Sequence, residues 1–223
     1  RPVAIEDLLG RDPVPPVSEL LAPGLRDSVV CVTGAGGSIG SELVMQALER
    51  GAEQVLAIDI AETPLHDLGL LCRTRLGDAA TRLLTRIADV RDAQAMQALL
   101  ADFAPHVIYH AAAYKHVPVM EVQPEAAWHT NVLGTANVIA AAQQAKTETF
   151  VLISTDKAVN PTSVMGASKR MAELVVRSIG EGEGMNCVTT RFGNVLDSNG
   201  SVIPLFRRQI EAGGPLTLTH PDV

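Results

Sequence analysis

The stretch Val29-Val30-Cys31-Val32-Thr33-Gly34-Ala35-Gly36-Gly37-Ser38-Ile39-Gly40 decides how this chain folds. Its first five residues are an unbroken β-prone run, the pattern of a strand covered on both faces, as in a parallel sheet. Three glycines follow at three-residue intervals, Gly34, Gly37 and Gly40, and then a helical stretch from about Ser41 to Glu49, stopped by Gly51. Between a strand and a helix such glycines have separate tasks. One permits a tight turn, one lets backbone N–H groups approach a pyrophosphate, and one lets the helix pack close to the strand.

Outward from that unit the pattern repeats. Strands are expected at Gln54–Asp59, Leu83–Ala88, His106–His110, Thr149–Ser154 and Asn186–Arg191. Helices are expected at Leu65–Arg75, Ala93–Phe103, Glu125–Gln144 (long and Ala-rich) and Val164–Ile179. Such alternation implies right-handed βαβ units and an α/β fold, a Rossmann-type doubly wound parallel sheet in the order 3-2-1-4-5-6. Past Arg191 the pattern is broken up by Gly193, Gly200, Gly213, Gly214, Pro204 and Pro215. The expected organisation is a lead-in over residues 1–27, a nucleotide-binding domain over 28–192, and an incomplete C-terminal substrate lobe over 193–223. Within the lead-in, Ile5 to Leu9 suits a short helix ended by Gly10, and Pro13, Pro15, Pro16 and Pro23 keep the chain extended.

Composition narrows the classes of function. A chain of 223 residues with 47% hydrophobic and 19% charged residues can bury a sizeable core. Aromatics are only 3%, so that core is built from Ala, Val, Leu and Ile. The net charge of -7 argues against a nucleic-acid partner. Cys31, Cys72 and Cys187 have apolar neighbours and read as reduced core thiols. No metal-ligand spacing occurs, so no metal is expected. No run reaches the roughly 18 apolar residues that span a bilayer, and no leader opens the chain. Because Arg1 is not Met, the chain is expected to be a processed product or a fragment, with membrane segments outside it left open.

The glycine loop has a matching acidic landmark. Asp59, ending the second strand, can accept hydrogen bonds from adenosine ribose hydroxyls and would repel a 2′-phosphate, which favours NAD over NADP. Its plainer reading is a strand-end cap. Asp89 and Val90, after the third strand, are placed to meet the adenine; the alternative is a helix N-cap for the segment starting near Asp92.

Further motifs follow in order: His110-Ala-Ala-Ala-Tyr-Lys-His116, Asn131-Val-Leu-Gly-Thr135, Ser154-Thr-Asp-Lys157, Asn160-Pro161, Met165-Gly-Ala-Ser-Lys169, Arg191-Phe-Gly-Asn194 and Gly200-Ser-Val-Ile-Pro204. With the glycine loop, they make the chain resemble extended short-chain dehydrogenases/reductases, and more closely the membrane-bound UDP-N-acetylglucosamine 4,6-dehydratases of polysaccharide biosynthesis. The resemblance covers essentially the whole chain. It implies a cofactor set of Gly34, Gly37, Ser38, Ile39, Gly40, Asp59, Asp89, Val90, Ala111, Ala112 and Lys169 for NAD. It also implies a UDP-sugar substrate and a place on the cytoplasmic face of the bacterial inner membrane, reached through segments absent from this chain. A homo-oligomer is implied by analogy alone.

Extended family members carry Tyr-x-x-x-Lys on the helix after the fifth strand. Here Met165 stands four residues before Lys169, on the same helix face. A thioether has no exchangeable proton, so Met165 is either a position inherited from the dehydratase group or a core residue. Lys169 suits the nicotinamide ribose. Proton transfer then falls to Thr155, Asp156 and Lys157. The implied reaction removes hydride from the sugar C4, eliminates water across C5 and C6, and returns hydride to C6. In it Lys157 is the C5 base, which requires desolvation and nearby cations because an ordinary lysine is almost wholly protonated at neutral pH. Asp156 is the acid for the C6 hydroxyl or the acceptor of the C4 hydroxyl proton, and Thr155 bonds the C4 oxygen. Lys115 and His116 line the sugar pocket, with Glu121 capping or contacting there; a solvated loop is the alternative for all three. Asn194 and Ser201 are placed for the nucleotide diphosphate. Asn131 fixes backbone within its helix, and Arg191 pairs with a carboxylate or a phosphate. The competing readings are a nucleotide-sugar 4-epimerase and a catalytically inactive NAD-binding module.

Overall fold

Alternate residues of β1 (Val29–Thr33) feed two separate cores. Val30 and Val32 join one apolar cluster and Cys31 the other, because successive side chains of a strand point to opposite faces. The computed structural model that shows this describes residues 14, 15, 17, 24–180, 184–195, 198 and 201–217. The helix expected over residues 5–9, the prolines 13, 16 and 23, and Gly200 lie outside the described residues.

From β1 the chain runs through α1 (Ser38–Glu49), β2 (Gln54–Asp59), α2 (Glu62–Leu76), a 3₁₀ turn (Gly77–Arg82), β3 (Leu83–Ile87), α3 (Ala93–Phe103) and β4 (Val107–His110). Next come two short helices, α4 (Val117–Val122) and α5 (Pro124–Ala127), a π-helical segment (Trp128–Gly134) and α6 (Thr135–Gln144). The rest is β5 (Thr149–Thr155), a 3₁₀ turn (Asp156–Ala158), α7 (Val164–Gly180), β6 (Asn186–Phe192) and α8 (Val202–Glu211). The six strands form one sheet, β3-β2-β1-β4-β5-β6, with every adjacent pair parallel. This is the expected Rossmann-type order. On one face α1 and α2 bring Val44, Leu48, Leu65 and Leu68 onto Val30, Val32, Val55 and Ala57. On the other, α3, α6 and α7 bring Met96, Leu100, Val138, Ile139 and Val176 onto Ile108, Phe150 and Leu152.

Four differences from the expected elements have local causes. α1 starts at Ser38, three residues early, because Gly37 with extended backbone serves as its N-cap. The long helix runs from α5 to α6 but carries a seven-residue π segment in its middle. α4 was not foreseen because its six residues include a proline and four valine or methionine side chains, too short a run for a helical period. α8 was hidden among the surrounding glycines and prolines, although its apolar residues recur at helical spacing.

By internal contacts the chain divides into Ala22–Gly193, which holds the sheet, and a second unit made of Arg1–Leu21 with Asn194–Val223. Cys31 and Cys72 are buried free thiols and Cys187 is half-buried. Among the described residues no helix is long and apolar enough to cross a membrane, and no three His, Cys, Asp or Glu side chains group to hold a metal.

Candidate active site

In the order 3-2-1-4-5-6 the connections reverse direction between β1 and β4, which opens a crevice at the C-terminal ends of those strands. The crevice has a volume of about 220 Å³. Gly34 and Gly37 line it, with 58–60 at the end of β2, 88–91 after β3, 111–114 after β4, and Thr130 on the π segment. Gly34 sits at φ +68°, and a methyl group there would lie 2.6 Å from the Ala112 nitrogen, so the loop and the Ala111–Ala112 wall meet backbone to backbone. Gly37 is exposed at the head of α1. Ser38 and Ile39 form the first turn, whose leading N–H groups have no partner within the helix, and Gly40 is buried as the helix leaves the loop.

Asp59 has a structural task beside the expected one. Its Oδ2 accepts from the Gly36 N–H at 2.9 Å and its Oδ1 from the Ala61 N–H at 3.0 Å. It thus shapes the glycine loop, and each oxygen keeps a lone pair for a ribose hydroxyl. Asp89 lines the crevice but is not the helix cap. Its carboxylate is engaged by the Arg91 guanidinium and backbone N–H, and the hydrogen bond from Arg91 holds it below the usual carboxylate range. The helix cap belongs to Asp92, whose Oδ1 accepts from Ala95 N at 3.0 Å. Val90, Ile60 and the alanines make apolar walls.

Thr130 carries no signal that sequence reasoning could have found. Its side chain is buried, yet its Oγ1 has no hydrogen-bond partner among the described residues. A buried polar atom left so costs about 1–3 kcal/mol, which a ligand hydroxyl or ring nitrogen in the crevice would recover. The N-terminal end of α1, a carboxylate with lone pairs left for a ribose, the unpaired Thr130 hydroxyl and apolar walls together fit a dinucleotide. Asn131 was expected to fix backbone within its own helix, but it ties down this wall instead: its Oδ1 accepts from Tyr114 N, and its Nδ2 donates to Tyr114 O and to Ser168 Oγ on α7.

The second half of the site lies at the end of β5. Asp156 Oδ1 accepts from Thr155 Oγ1 at 3.0 Å and from Lys157 Nζ at 3.1 Å. The side chains of Asp156 and Lys157 are 56% and 41% exposed. Lys157 and then Thr155 hold Asp156 below the ordinary carboxylate range, so it rests ionised and can take up a proton before it gives one. Thr155 has given its hydrogen to Asp156, so it is not a free donor for a sugar oxygen. The desolvation expected of Lys157 is not supplied by the protein alone.

Lys169 has the opposite setting. It is 6% exposed, and its Nζ donates to the Ile153 carbonyl of β5 at 2.6 Å. Burial pushes it down to about 8, with Glu173 one turn on opposing that. The head of α7 presses on the Asp156–Ala158 turn: a methyl at Gly166 would lie 2.5 Å from the Lys157 carbonyl oxygen. Met165, one residue earlier, is 4% exposed and packs with Met120 and Ala127. Its place among the catalytic residues is therefore corrected to packing.

The remaining residues scatter. Lys115 and His116 are exposed after β4, and Glu121 caps α7, accepting from Val164 N at 2.7 Å. Arg191 pairs with a carboxylate, Glu173, at 2.7 Å. Glu173 also accepts from Ser154 and Arg170. Burial would raise its carboxyl, but these partners, Arg191 foremost, hold it at about 2. Asn194 and Ser201 belong to the second unit, where Ser201 heads α8 and its Oγ has no hydrogen-bond partner among the described residues.

The sheet order, the glycine loop and the crevice define a Rossmann-type nucleotide-binding domain. The chain belongs to the polysaccharide biosynthesis protein family, whose model matches residues 30–223. It is 48% identical over 221 residues to the "probable polysaccharide biosynthesis protein EpsC" of Bacillus subtilis, a match covering 99% of this chain and 37% of that protein. It is 36% identical over 205 residues to the UDP-glucose 4-epimerase of Rickettsia rickettsii, covering 88% of this chain and 58% of the epimerase. Among solved structures it resembles DesIV, a dTDP-glucose 4,6-dehydratase from Streptomyces venezuelae solved with NAD bound. There the TM-score is 0.73 at 27% identity, over 85% of this chain and 64% of DesIV. The chain thus spans just over a third of the length of EpsC.

Proposed function

We propose that this chain binds NAD in the β1–β4 crevice. Within the whole protein it would serve the 4,6-dehydration of a UDP-N-acetylhexosamine, UDP-N-acetylglucosamine being the substrate of choice. The observation that carries the reading is the exposed Asp156–Lys157 pair at the end of β5, set above buried Lys169. NAD, when bound, supplies a hydride acceptor at the sugar C4 and a hydride donor at C6. The positive N-terminal end of α1 faces the pyrophosphate, and Asp59 accepts from the ribose diol. Lys169, with two ammonium protons left after Ile153, holds the nicotinamide ribose.

Asp156, ionised, takes the C4 hydroxyl proton as the carbonyl forms. Lys157 takes the proton from C5, and Asp156 then passes its own proton to the departing C6 hydroxyl, so that water leaves. Lys157 returns a proton to C5 as C6 is reduced. The overall change is loss of one water molecule. A sugar closing over the pair excludes water from Lys157, and Met165 takes no part in proton transfer. DesIV, a dTDP-glucose 4,6-dehydratase with NAD bound, supports this reading.

A second reading, a 4-epimerase, is favoured by the similarity to the Rickettsia enzyme. Incubating the whole protein with UDP-N-acetylglucosamine in deuterated water separates the two. A 4-keto-6-deoxy product with deuterium at C5 supports dehydration. A galacto-configured sugar overturns it in favour of epimerisation. NAD binding with no turnover of nucleotide sugars would make the domain an inactive module.

A further inference from the structure

His110 ends β4 and is 1% exposed. Each of its ring nitrogens meets a threonine hydroxyl: Nδ1 lies 2.7 Å from Thr33 Oγ1, and Nε2 lies 3.0 Å from Thr135 Oγ1. Thr135 resolves where the protons are. Its hydroxyl has one hydrogen, donated to the Asn131 carbonyl at 2.7 Å. Thr135 Oγ1 must therefore accept from His110, which puts the ring proton on Nε2. Nδ1 is then bare and accepts from the Thr33 hydroxyl. A doubly protonated ring would face Thr33 with a second donor at a position that is 0% exposed. Burial, with the charge of Lys169 on α7 added, keeps the ring neutral, its pKa lowered to about 3. The Phe150 ring of β5 lies 5.9 Å away, tilted by 33°.

The three elements joined in this way are three walls of the crevice. Thr33 immediately precedes Gly34, and Ala111 and Ala112 immediately follow His110. Thr135 immediately follows the π segment that carries Thr130 and Asn131. Backbone pairing reinforces the first junction, since Ala111 N donates to Thr33 O at 3.0 Å. The glycine loop and the alanine wall have no slack at Gly34, so a change in the spacing of these strand ends is a change in crevice width.

We propose that His110 is a positioning residue, a neutral clamp bridging Thr33 and Thr135 that sets the spacing of glycine loop, alanine wall and π segment and so keeps the crevice open to the dinucleotide. This rests on the reading of the crevice as the NAD site. The ring transfers no proton and touches no reacting atom.

The test uses the 223-residue chain and has two arms. In the first, nitrogen-15 NMR of the free protein should show His110 protonated on Nε2, bare on Nδ1, and not titrating from pH 8 to pH 5. A ring that titrates in that range, or carries its proton on Nδ1, overturns the clamp whatever NAD does. In the second, two amides each replace half of the ring. The carboxamide of His110→Asn reaches the place of Nδ1 and can accept from Thr33, whereas His110→Gln reaches the place of Nε2 and can donate to Thr135. By calorimetric titration with NAD, the Gln variant should bind at least tenfold more weakly than the unsubstituted chain and the Asn variant only a few-fold more weakly. The reason is that the Thr33 side carries the glycine loop. Unchanged affinity in the Gln variant, or an Asn variant as weak as Gln, overturns the proposal. If either substitution unfolds the chain, Thr33→Val removes the single donor instead; it should weaken NAD at least fivefold, and an unchanged affinity is decisive against the clamp. Absence of NAD binding by the unsubstituted chain overturns the NAD reading itself, and the NMR arm then still decides whether the clamp exists.

Discussion

The two halves of the site are built in opposite ways. In the crevice nearly every polar group is committed. Asp59 holds two backbone N–H groups, Asp89 is taken by Arg91, and Asn131 spans three partners. At the end of β5 the reactive groups hold mainly one another and face solvent. Lys169 and Lys157 show the contrast within one residue type, the first buried and bonded to a carbonyl, the second exposed and paired with its neighbour. Binding requires shape before the ligand arrives, whereas proton transfer requires groups that can change partner during the reaction.

The largest effect that would break this contrast lies at β5. In the whole protein, Lys157→Ala and Asp156→Asn should each lower formation of the 4-keto product by about 10²–10⁴-fold, the usual worth of a general acid or base. NAD affinity should stay unchanged. A turnover assay with UDP-N-acetylglucosamine checks this, and near-normal turnover in either variant removes that residue from the chemistry.

Asp59→Ala attacks the opposite half. It strips the partner from two backbone N–H groups as well as from the ribose. Charge-assisted bonds of about 1.5–3 kcal/mol each make the expected loss of NAD affinity roughly ten- to a hundredfold. Calorimetry against NAD and NADP should also show a narrower preference between them. Unaltered NAD affinity would mean that the loop keeps its shape without the carboxylate.

Acid should loosen the crevice half first. His110 is held neutral in the fold, near 3, against an ordinary 6.5, so the unfolded chain takes up a proton first as pH falls. Its contribution to stability is complete above about 6.5 and is lost progressively toward 3. Between pH 7 and pH 5 the loss is about 2 kcal/mol. Glu173, held at about 2, adds its own loss only below its ordinary 4.5. Urea unfolding at the two pH values measures this, and His110→Asn should flatten the dependence. A variant as pH-sensitive as its parent would assign the effect elsewhere.

The smallest effect is expected at Met165. Exchange for leucine in an apolar cluster conserves volume and should cost less than about 1.5 kcal/mol. A thermal melt showing a larger loss would mean that the thioether has a task beyond packing.

Much of this was legible in the residues. The strand order and the loop followed from Val29 to Gly40 and the βαβ alternation, because continuous apolar runs and glycine spacing are local consequences of the fold. Asp59 was legible as a ribose carboxylate but not as the brace of Gly36, since that bond joins two elements. Thr130 was invisible: its unpaired hydroxyl is defined by what does not surround it. The π segment left no compositional mark, since widening a helical turn changes hydrogen-bond partners and not residue types. Asp156 was legible as an acid or a proton acceptor, and only the positions of Thr155 and Lys157 show that it rests ionised.

Sequence alone settled the class of fold, the strand order and the place of the crevice, because each is written in short-range patterns of burial and turn chemistry. Tertiary structure decided which polar groups are free and which are spent. Met165 became packing, Arg191 became the partner of Glu173, and His110 became a bridge between β1, β4 and α6. The reason is physical: protonation and partnership depend on distances between residues far apart in the chain, which no local pattern encodes.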